Sequence, residues 1–324
     1  MGMEFSLIDM IRTRTRAARD DVPVGIGDDG AVLRVPAGQE LVAAIDTMVE
    51  GVHFLPGTAA ADLGWKALAV NLSDLAAMGA TPAWALLALT MPRADTAFVR
   101  DFADGFAQLA QRHHVALVGG DTTSGPLSIS VAVHGFVPPG RALLRAGAQV
   151  GDVVLVTGTL GDALAGLYAL RDPPPDEPPR AALRAVLIER LTRPVPRVAA
   201  GIALRGLASA CIDISDGLLA DLGHICTASG VGAELDAPLL PRSPALRELH
   251  GEAQSLEFAL GGGDNYELCC TVPPAQLEQV LTDLGHVGCG VTRIGRIVAG
   301  DSVRVRDAQG QWLTPKMQGW EHFA

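Results

Sequence analysis

Residues 67–79 read Ala-Leu-Ala-Val-Asn-Leu-Ser-Asp-Leu-Ala-Ala-Met-Gly, an apolar run broken only at Asn71, Ser73 and Asp74. Its periodicity predicts a helix that is apolar on nearly every face and therefore buried. Asn71 and Asp74, three residues apart, share one side of that helix. An ionised carboxylate there costs several kcal/mol unless it is paired or binds a metal. The nearest basic residue is Lys66, two turns away, so an ion pair needs a long reach and a metal-ligand role for Asp74 is favoured.

The same reading along the chain predicts a surface helix over 5–18 and a strand pair over 31–35 and 41–47. Further on it predicts a strand near 83–91, a helix near 95–113, a strand over 115–118 and an alternating strand over 127–137. Pro138-Pro-Gly140 and the Gly147 to Gly151 turn then supply the strongest loop punctuation, which places a domain boundary near 140–150. The second half restarts with a buried strand at 153–156, a turn over Gly158 to Gly161, and a helix capped by Asp162. A Pro-rich loop fills 171–180, and helices follow from 181 to 191 and up to 207. In Ala210-Cys-Ile-Asp-Ile-Ser-Asp-Gly-Leu218, Asp213 and Ser215 alternate with Ile212 and Ile214, giving one polar strand face.

At 324 residues the chain is long for one core, so two domains are expected, 1–140 and 141–324. Hydrophobic content of 48%, aromatics at 4% and a mean hydropathy of +0.27 indicate a globular α/β protein whose parallel strands are buried on both faces. The net charge of −11 argues against nucleic acid or an anionic membrane as partner. The longest apolar region, 67–91, contains Asn71, Asp74 and Pro82 and does not read as a membrane span. Five cysteines with no C-x-x-C pair read as buried thiols of a reducing compartment, so a cytoplasmic location is expected.

Carboxylates recur where chemistry is usually placed. Gly25 to Gly30 matches G-x-G-x-x-G, but Asp28 and Asp29 occupy its middle and would repel a diphosphate unless a cation intervenes. Apolar strands deliver Asp46 and, through Gly119-Gly120, Asp121 onto turns. Asp213 and Asp216 flank Ser215 before a helix, and Gly261-Gly-Gly-Asp264 is a further glycine-acid turn. Hard oxygen ligands of this kind suit Mg²⁺. Lys66 and Lys316 are the only lysines and no P-loop motif is present, so phosphate handling falls to Mg²⁺ and arginine.

The chain resembles the thiamine-monophosphate kinase family, in the superfamily that also holds aminoimidazole ribonucleotide synthetase, selenophosphate synthetase and a hydrogenase maturation factor. The segments that carry the resemblance are Gly27-Asp-Asp-Gly-Ala31, Asp46 to Phe54, Asn71 to Gly79, Gly119-Gly-Asp-Thr122 and Arg145-Ala-Gly147, followed by Asp213 to Gly217, Tyr266-Glu-Leu268 and Gly319-Trp320. It implies ATP-dependent phosphorylation of thiamine monophosphate to the diphosphate by direct in-line transfer, with no obligatory side-chain base. It implies a homodimer, in which the N-terminal mixed-sheet domain binds ATP and Mg²⁺ and pairs with its copy beside a C-terminal α/β domain. Several Mg²⁺ ions are expected at Asp28, Asp46, Asp74, Asp121, Asp213 and Asp216. ATP contacts are expected at Gly120, Asp121, Arg145 and Ser215, and substrate contacts at His53, Asp264 and Trp320. This chain has Ala44 and Ile45 before Asp46, where the family usually has Ser or Thr. It also reads Gly262-Gly-Asp-Asn-Tyr-Glu267 where the family usually reads Gly-Gly-Glu-Asp-Tyr-Glu. A selenophosphate synthetase would need an N-terminal reactive cysteine, and every cysteine here follows position 210.

Overall fold

The computed structural model describes residues 3–172 and 178–321. Half of the Pro-rich loop expected over 171–180, residues 173–177, and the last three residues lie outside that range; 178–180 belong to a helix. The chain divides into two units, one of residues 1–75 with 80–140, the other of 76–79 with 141–324.

The first unit runs α1 (Met3–Arg14), β1 (Glu40–Val49), α2 (Ala60–Ala77), β2 (Thr81–Met91), α3 (Thr96–Arg112), β3 (Ala116–Ser124) and β4 (Ser128–Val137). Its sheet has the order β1-β4-β2-β3, antiparallel except for the parallel β2–β3 pair. Alternation decides the faces of β4. Ile129, Val131 and Val133 are buried, while Ser130, Ala132 and His134 face the more open side. Helix α3 shows Val99, Phe102, Phe106 and Leu109 on its buried face, and the Asp95 side chain accepts the Phe98 N–H at its start. The two helices touch backbone to backbone. A Cβ on Gly64 of α2 would lie 2.0 Å from the Phe102 carbonyl oxygen, and one on Gly105 of α3 would lie 1.8 Å from that of Ala61.

Two expectations are corrected here. Residues 31–35 do not pair with 41–47; only an isolated bridge, Val24 to Val32, forms in that segment. The ten residues of β1 instead pair in full register with β4, from Glu40 with Val137 to Val49 with Ser128. A complete ten-position ladder outweighs the short local hairpin. The buried helix also starts seven residues earlier, at Ala60, because Gly64 sits at a close approach rather than at a helix end.

The second unit contains β5 (Val153–Thr157), α4 (Asp162–Arg171), α5 (Pro178–Thr192), α6 (Val198–Leu204), β6 (Ala210–Asp213), α7 (Leu218–Ser229) and β7 (Gly232–Asp236). It continues with α8 (Pro244–Gly261), β8 (Leu268–Val272), α9 (Leu277–His286), β9 (Val291–Val298) and β10 (Val303–Arg306). The strand order is β10-β7-β9-β5-β8-β6, and only β10–β7 is parallel. Both sheets are therefore mixed, not parallel as the composition suggested. The expectation of two-sided burial holds locally, since every residue of β5 and β8 is buried. Asp162 does not cap α4. Gly161 takes that place with φ 87, and the Asp162 carboxylate accepts Thr159 and Ser243 hydroxyls at 2.6 Å each.

Candidate functional site

In the first unit a cleft of ≈ 1260 Å³ opens between the Gly27–Gly30 loop, Arg12 of α1 and the open face of the sheet. Asp28 and Asp121 line it; Gly120 and Asp121 lie within β3, paired with Leu87 and Ala88, not on a turn after 115–118 as the sequence suggested. Gly120 has φ 154, and a Cβ there would meet the Leu87 carbonyl oxygen at 1.8 Å. The position therefore excludes side chains and leaves backbone facing the cleft. Asp28 and Asp121 are exposed, and each accepts the N–H of its next residue at 2.9 Å. This fixes one oxygen of each carboxylate against the following main chain.

Asp46 is exposed on β1, and its own N–H donates to Asn71 Oδ1 at 2.9 Å, while Asn71 Nδ2 holds the Ala67 carbonyl. Asn71 is 1% exposed. It therefore ties Asp46 to the face of α2 that also carries Asp74. Asp74 is half-buried rather than enclosed, which corrects the fully buried carboxylate expected from the apolar run. Asp46 pairs with Val131, Val131 with Leu87, and Leu87 with Gly120. Asp46 and Gly120 thus stand at one level on opposite edges of the sheet, three strand spacings apart. His53 follows β1; its Nδ1 accepts the Val49 N–H at 3.0 Å, which puts the proton of a neutral ring on Nε2.

Among the described residues no three His, Cys, Asp or Glu side chains form a ready-made metal cluster. Mg²⁺ is commonly held by one or two carboxylates together with substrate phosphates. Asp28, Asp46 and Asp121 offer such exposed hard oxygens.

In the second unit the sequence-predicted residues gather around one turn. Asp213, buried, ends β6; Ser215 and Asp216, half-buried, follow it. The Asp264 N–H donates to the Ser215 carbonyl at 2.8 Å, and the Trp320 N–H to the Asp216 carbonyl at 2.9 Å. Two candidate substrate contacts thus hang from successive carbonyls beside the candidate ligands. Trp320 is 56% exposed. Arg145 is exposed at a bend where Ser229 Oγ receives the Gly147 and Ala148 N–H groups and donates to the Arg145 carbonyl, next to Leu144, whose carbonyl accepts the Cys211 N–H at 2.9 Å.

Sequence reasoning missed Asp221. One turn into α7, its Oδ2 accepts the N–H groups of Asp216 and Gly217 at 3.1 Å, and it is 2% exposed. Burial, and then the charges of Asp213 and Asp216, push its carboxyl up to about 7. Asp221 thus braces the turn that carries Asp216 through its main chain, while the three carboxylates do not come together as a group that could hold a metal. The spacing of Asp216, Gly217 and Asp221 at a helix start was the available signal. Glu267, quoted only as part of a motif, is the other omission. It is 1% exposed and accepts two bonds from Arg197 and one each from Arg190 and Thr157, all at 2.6 Å. All five cysteines are free and buried; Cys226 and Cys270 are pushed up to about 11 and about 12 by burial, which makes them poor nucleophiles.

Residues 27–137 match the family described as AIR synthase related protein, N-terminal domain, and 149–308 match its C-terminal domain. The chain is 49% identical over 321 residues to thiamine-monophosphate kinase of Escherichia coli K12, covering 99% of this chain and 98% of that protein. It belongs to the thiamine-monophosphate kinase family. It is accordingly a kinase, an enzyme that transfers phosphate. The crystal structure of thiamine-monophosphate kinase from Stenotrophomonas maltophilia K279a superposes with a TM-score of 0.87 at 49% identity, over 96% of this chain and 98% of that one. The structure of AaThiL complexed with AMPPCP and TMP gives 0.78 at 34% identity, over 99% and 97%. The hydrogenase maturation protein HypE of Escherichia coli, at 24% identity and a TM-score of 0.75 over 98% of each chain, shares the fold.

Proposed function

We propose that this enzyme transfers the terminal phosphoryl group of ATP directly to the phosphate of thiamine monophosphate, giving thiamine diphosphate and ADP. The observation that carries the reading is the glycine-walled cleft of the first unit with its exposed Asp28 and Asp121; within the second unit, Asp264 and Trp320 hang from successive carbonyls of one turn. The complex of the relative AaThiL with AMPPCP and TMP supports the choice of substrates.

Joining two polyanions needs alignment and charge neutralisation more than covalent chemistry. Asp28, Asp46, Asp74, Asp121, Asp213 and Asp216 are the proposed Mg²⁺ ligands. Bound there, Mg²⁺ would offset the charge of the phosphate oxygens. Gly120 lets the polyphosphate approach the main chain, Asp121 and Ser215 contact the nucleotide, and Arg145 pairs with a phosphate. His53 presents its Nε2 proton to substrate, Asp264 supplies a carboxylate, and the Trp320 face stacks on the cationic thiazolium. No side chain serves as general base. A phosphate monoester, with its second pKa near 6, is already mostly dianionic at pH 7.

The enzyme is proposed to act as a cytoplasmic homodimer. Buried free thiols support the location. Support for the dimer lies in β1, an edge strand with Leu41 46% and Ile45 66% exposed, beside Leu86 at 36% on the open sheet face. Among the described residues no helix is long and apolar enough to cross a membrane. Incubation with Mg-ATP and thiamine monophosphate should yield thiamine diphosphate and ADP in equal amounts, and absence of the diphosphate would sink the reading.

A further inference from the structure

The loop that carries Asp264 is built against its own backbone preference. Asp264 has φ 59 and Tyr266 φ 51, both left-handed, and each such residue costs on the order of 1 kcal/mol. Between them Asn265 is buried and engaged on both ends of its amide, accepting the Gly161 N–H at 2.8 Å and donating to the Gly262 carbonyl at 2.6 Å. The loop is sewn to the 214–215 backbone by the Asp264 and Tyr266 N–H groups and by the Ile214 N–H on the Glu267 carbonyl, each at 2.8 Å. Behind it Glu267 is clamped by Arg197, Arg190 and Thr157. Even the neighbouring chain makes room, since a Cβ on Gly158 would stand 2.1 Å from Glu267 Oε1.

The outcome of these constraints is one specific contact. The two left-handed residues turn the Tyr266 ring back on itself, so that its hydroxyl donates to Asp264 Oδ1 at 2.9 Å. Tyr266 is 9% exposed and Asp264 is half-buried, so the phenol sits behind the carboxylate rather than on the open surface. We propose that Tyr266 is a positioning residue, fixing the torsion of the Asp264 carboxylate beside Trp320 so that it meets the cationic ring of thiamine monophosphate. The proposal rests on the function given above.

The test compares the full-length wild type with Tyr266→Phe, Asp264→Asn and the double variant. Thiamine monophosphate affinity is read by calorimetry, and KM for each substrate and kcat by turnover. Tyr266→Phe should weaken thiamine monophosphate binding roughly 10- to 100-fold, the scale of one lost hydrogen bond to a charged group, while KM for ATP holds. In the Asp264→Asn background the same change should add little, because its target is already neutral. Unchanged affinity in Tyr266→Phe overturns the proposal. So does an equal loss in the Asp264→Asn background, or a parallel rise in KM for ATP, which would mark a merely structural tyrosine. Failure of the function itself is distinguishable, because then the wild type makes no thiamine diphosphate.

Discussion

The two units hold their candidate site residues in opposite ways. In the first, Asp28, Asp46 and Asp121 are exposed; Asp28 and Asp121 accept the N–H of the next residue, and Asp46 is tied by its own N–H to the Asn71 side chain. In the second, Asp213 and Asp221 are buried, Glu267 is enclosed by two arginines, and Asp264 is held in a strained loop. Under the proposed function, the exposed Asp28 and Asp121 meet a polyphosphate that brings its own oxygens and cations, whereas Asp264 and Trp320, tied to one hydrogen-bonded turn, meet a flat cationic ring. The first unit should lose activity without losing stability, and the second should lose both.

The largest expected effect lies at Arg197. Arg197→Ala should lower stability by about 3–5 kcal/mol, because it strips Glu267 of two of its four bonds in a buried setting. Arg197→Lys should recover only part, since an ammonium cannot reproduce the two-pronged contact. Urea denaturation of the three proteins gives the answer; a loss below 1 kcal/mol in Arg197→Ala would show that Arg190 alone suffices. Next comes Asp121→Asn, which should cut kcat/KM by about 10² or more, the scale of a lost charge-stabilising contact, with Tm almost unmoved. A fall in Tm matching the fall in activity would place Asp121 with the structural carboxylates of the second unit.

Trp320→Ala should raise KM for thiamine monophosphate by about 3- to 30-fold, as loss of a cation–π contact of roughly 0.5–2 kcal/mol would, with KM for ATP untouched. A loss confined to ATP would assign the ring to the nucleotide instead. The smallest effect concerns His134, whose Nδ1 is buried on the open sheet face of the first unit without a hydrogen-bond partner. Burial holds its pKa below the usual 6.5. A depressed histidine means that the unfolded chain takes up the proton first, so its stabilising contribution is present above pH 6.5 and is lost as pH falls through the folded value. Tm of the wild type should therefore drop more between pH 7.5 and pH 5 than that of His134→Gln, by about 1–2 °C on a chain this size. Identical slopes would mean that the ring gains a partner on protonation.

The fold was legible where local pattern and tertiary contact agree. The alternating 127–137 run is β4, the amphipathic 95–113 run is α3 with its Asp95 cap, and the apolar 153–156 run is β5. It was not legible where the partner is distant. Nothing in 41–47 announces that its ladder lies at 128–137, nor does the short 232–236 segment reveal that it sits between β10 and β9. In the site, carboxylates on glycine turns were visible because their spacing is unusual. Asp221 and Glu267 were not, because what sets them apart is burial among other charges. Asn265 and Tyr266 showed as departures or motif letters, and only the backbone geometry explains what each does.

The backbone contact between α2 and α3 has a consequence for how this sequence can change. At Gly64 and Gly105 a single-step replacement by alanine would force the helices apart by the width of a methyl group. The first thing displaced would be the face of α2 that carries Asn71 and Asp74. No compensating change on the partner helix can make room, because the obstacle at each position is a main-chain carbonyl that every residue possesses. The two positions are closed to drift. The reach of Asn71 toward β1, and with it the setting of Asp46, is held across generations by two hydrogen atoms far from any charge.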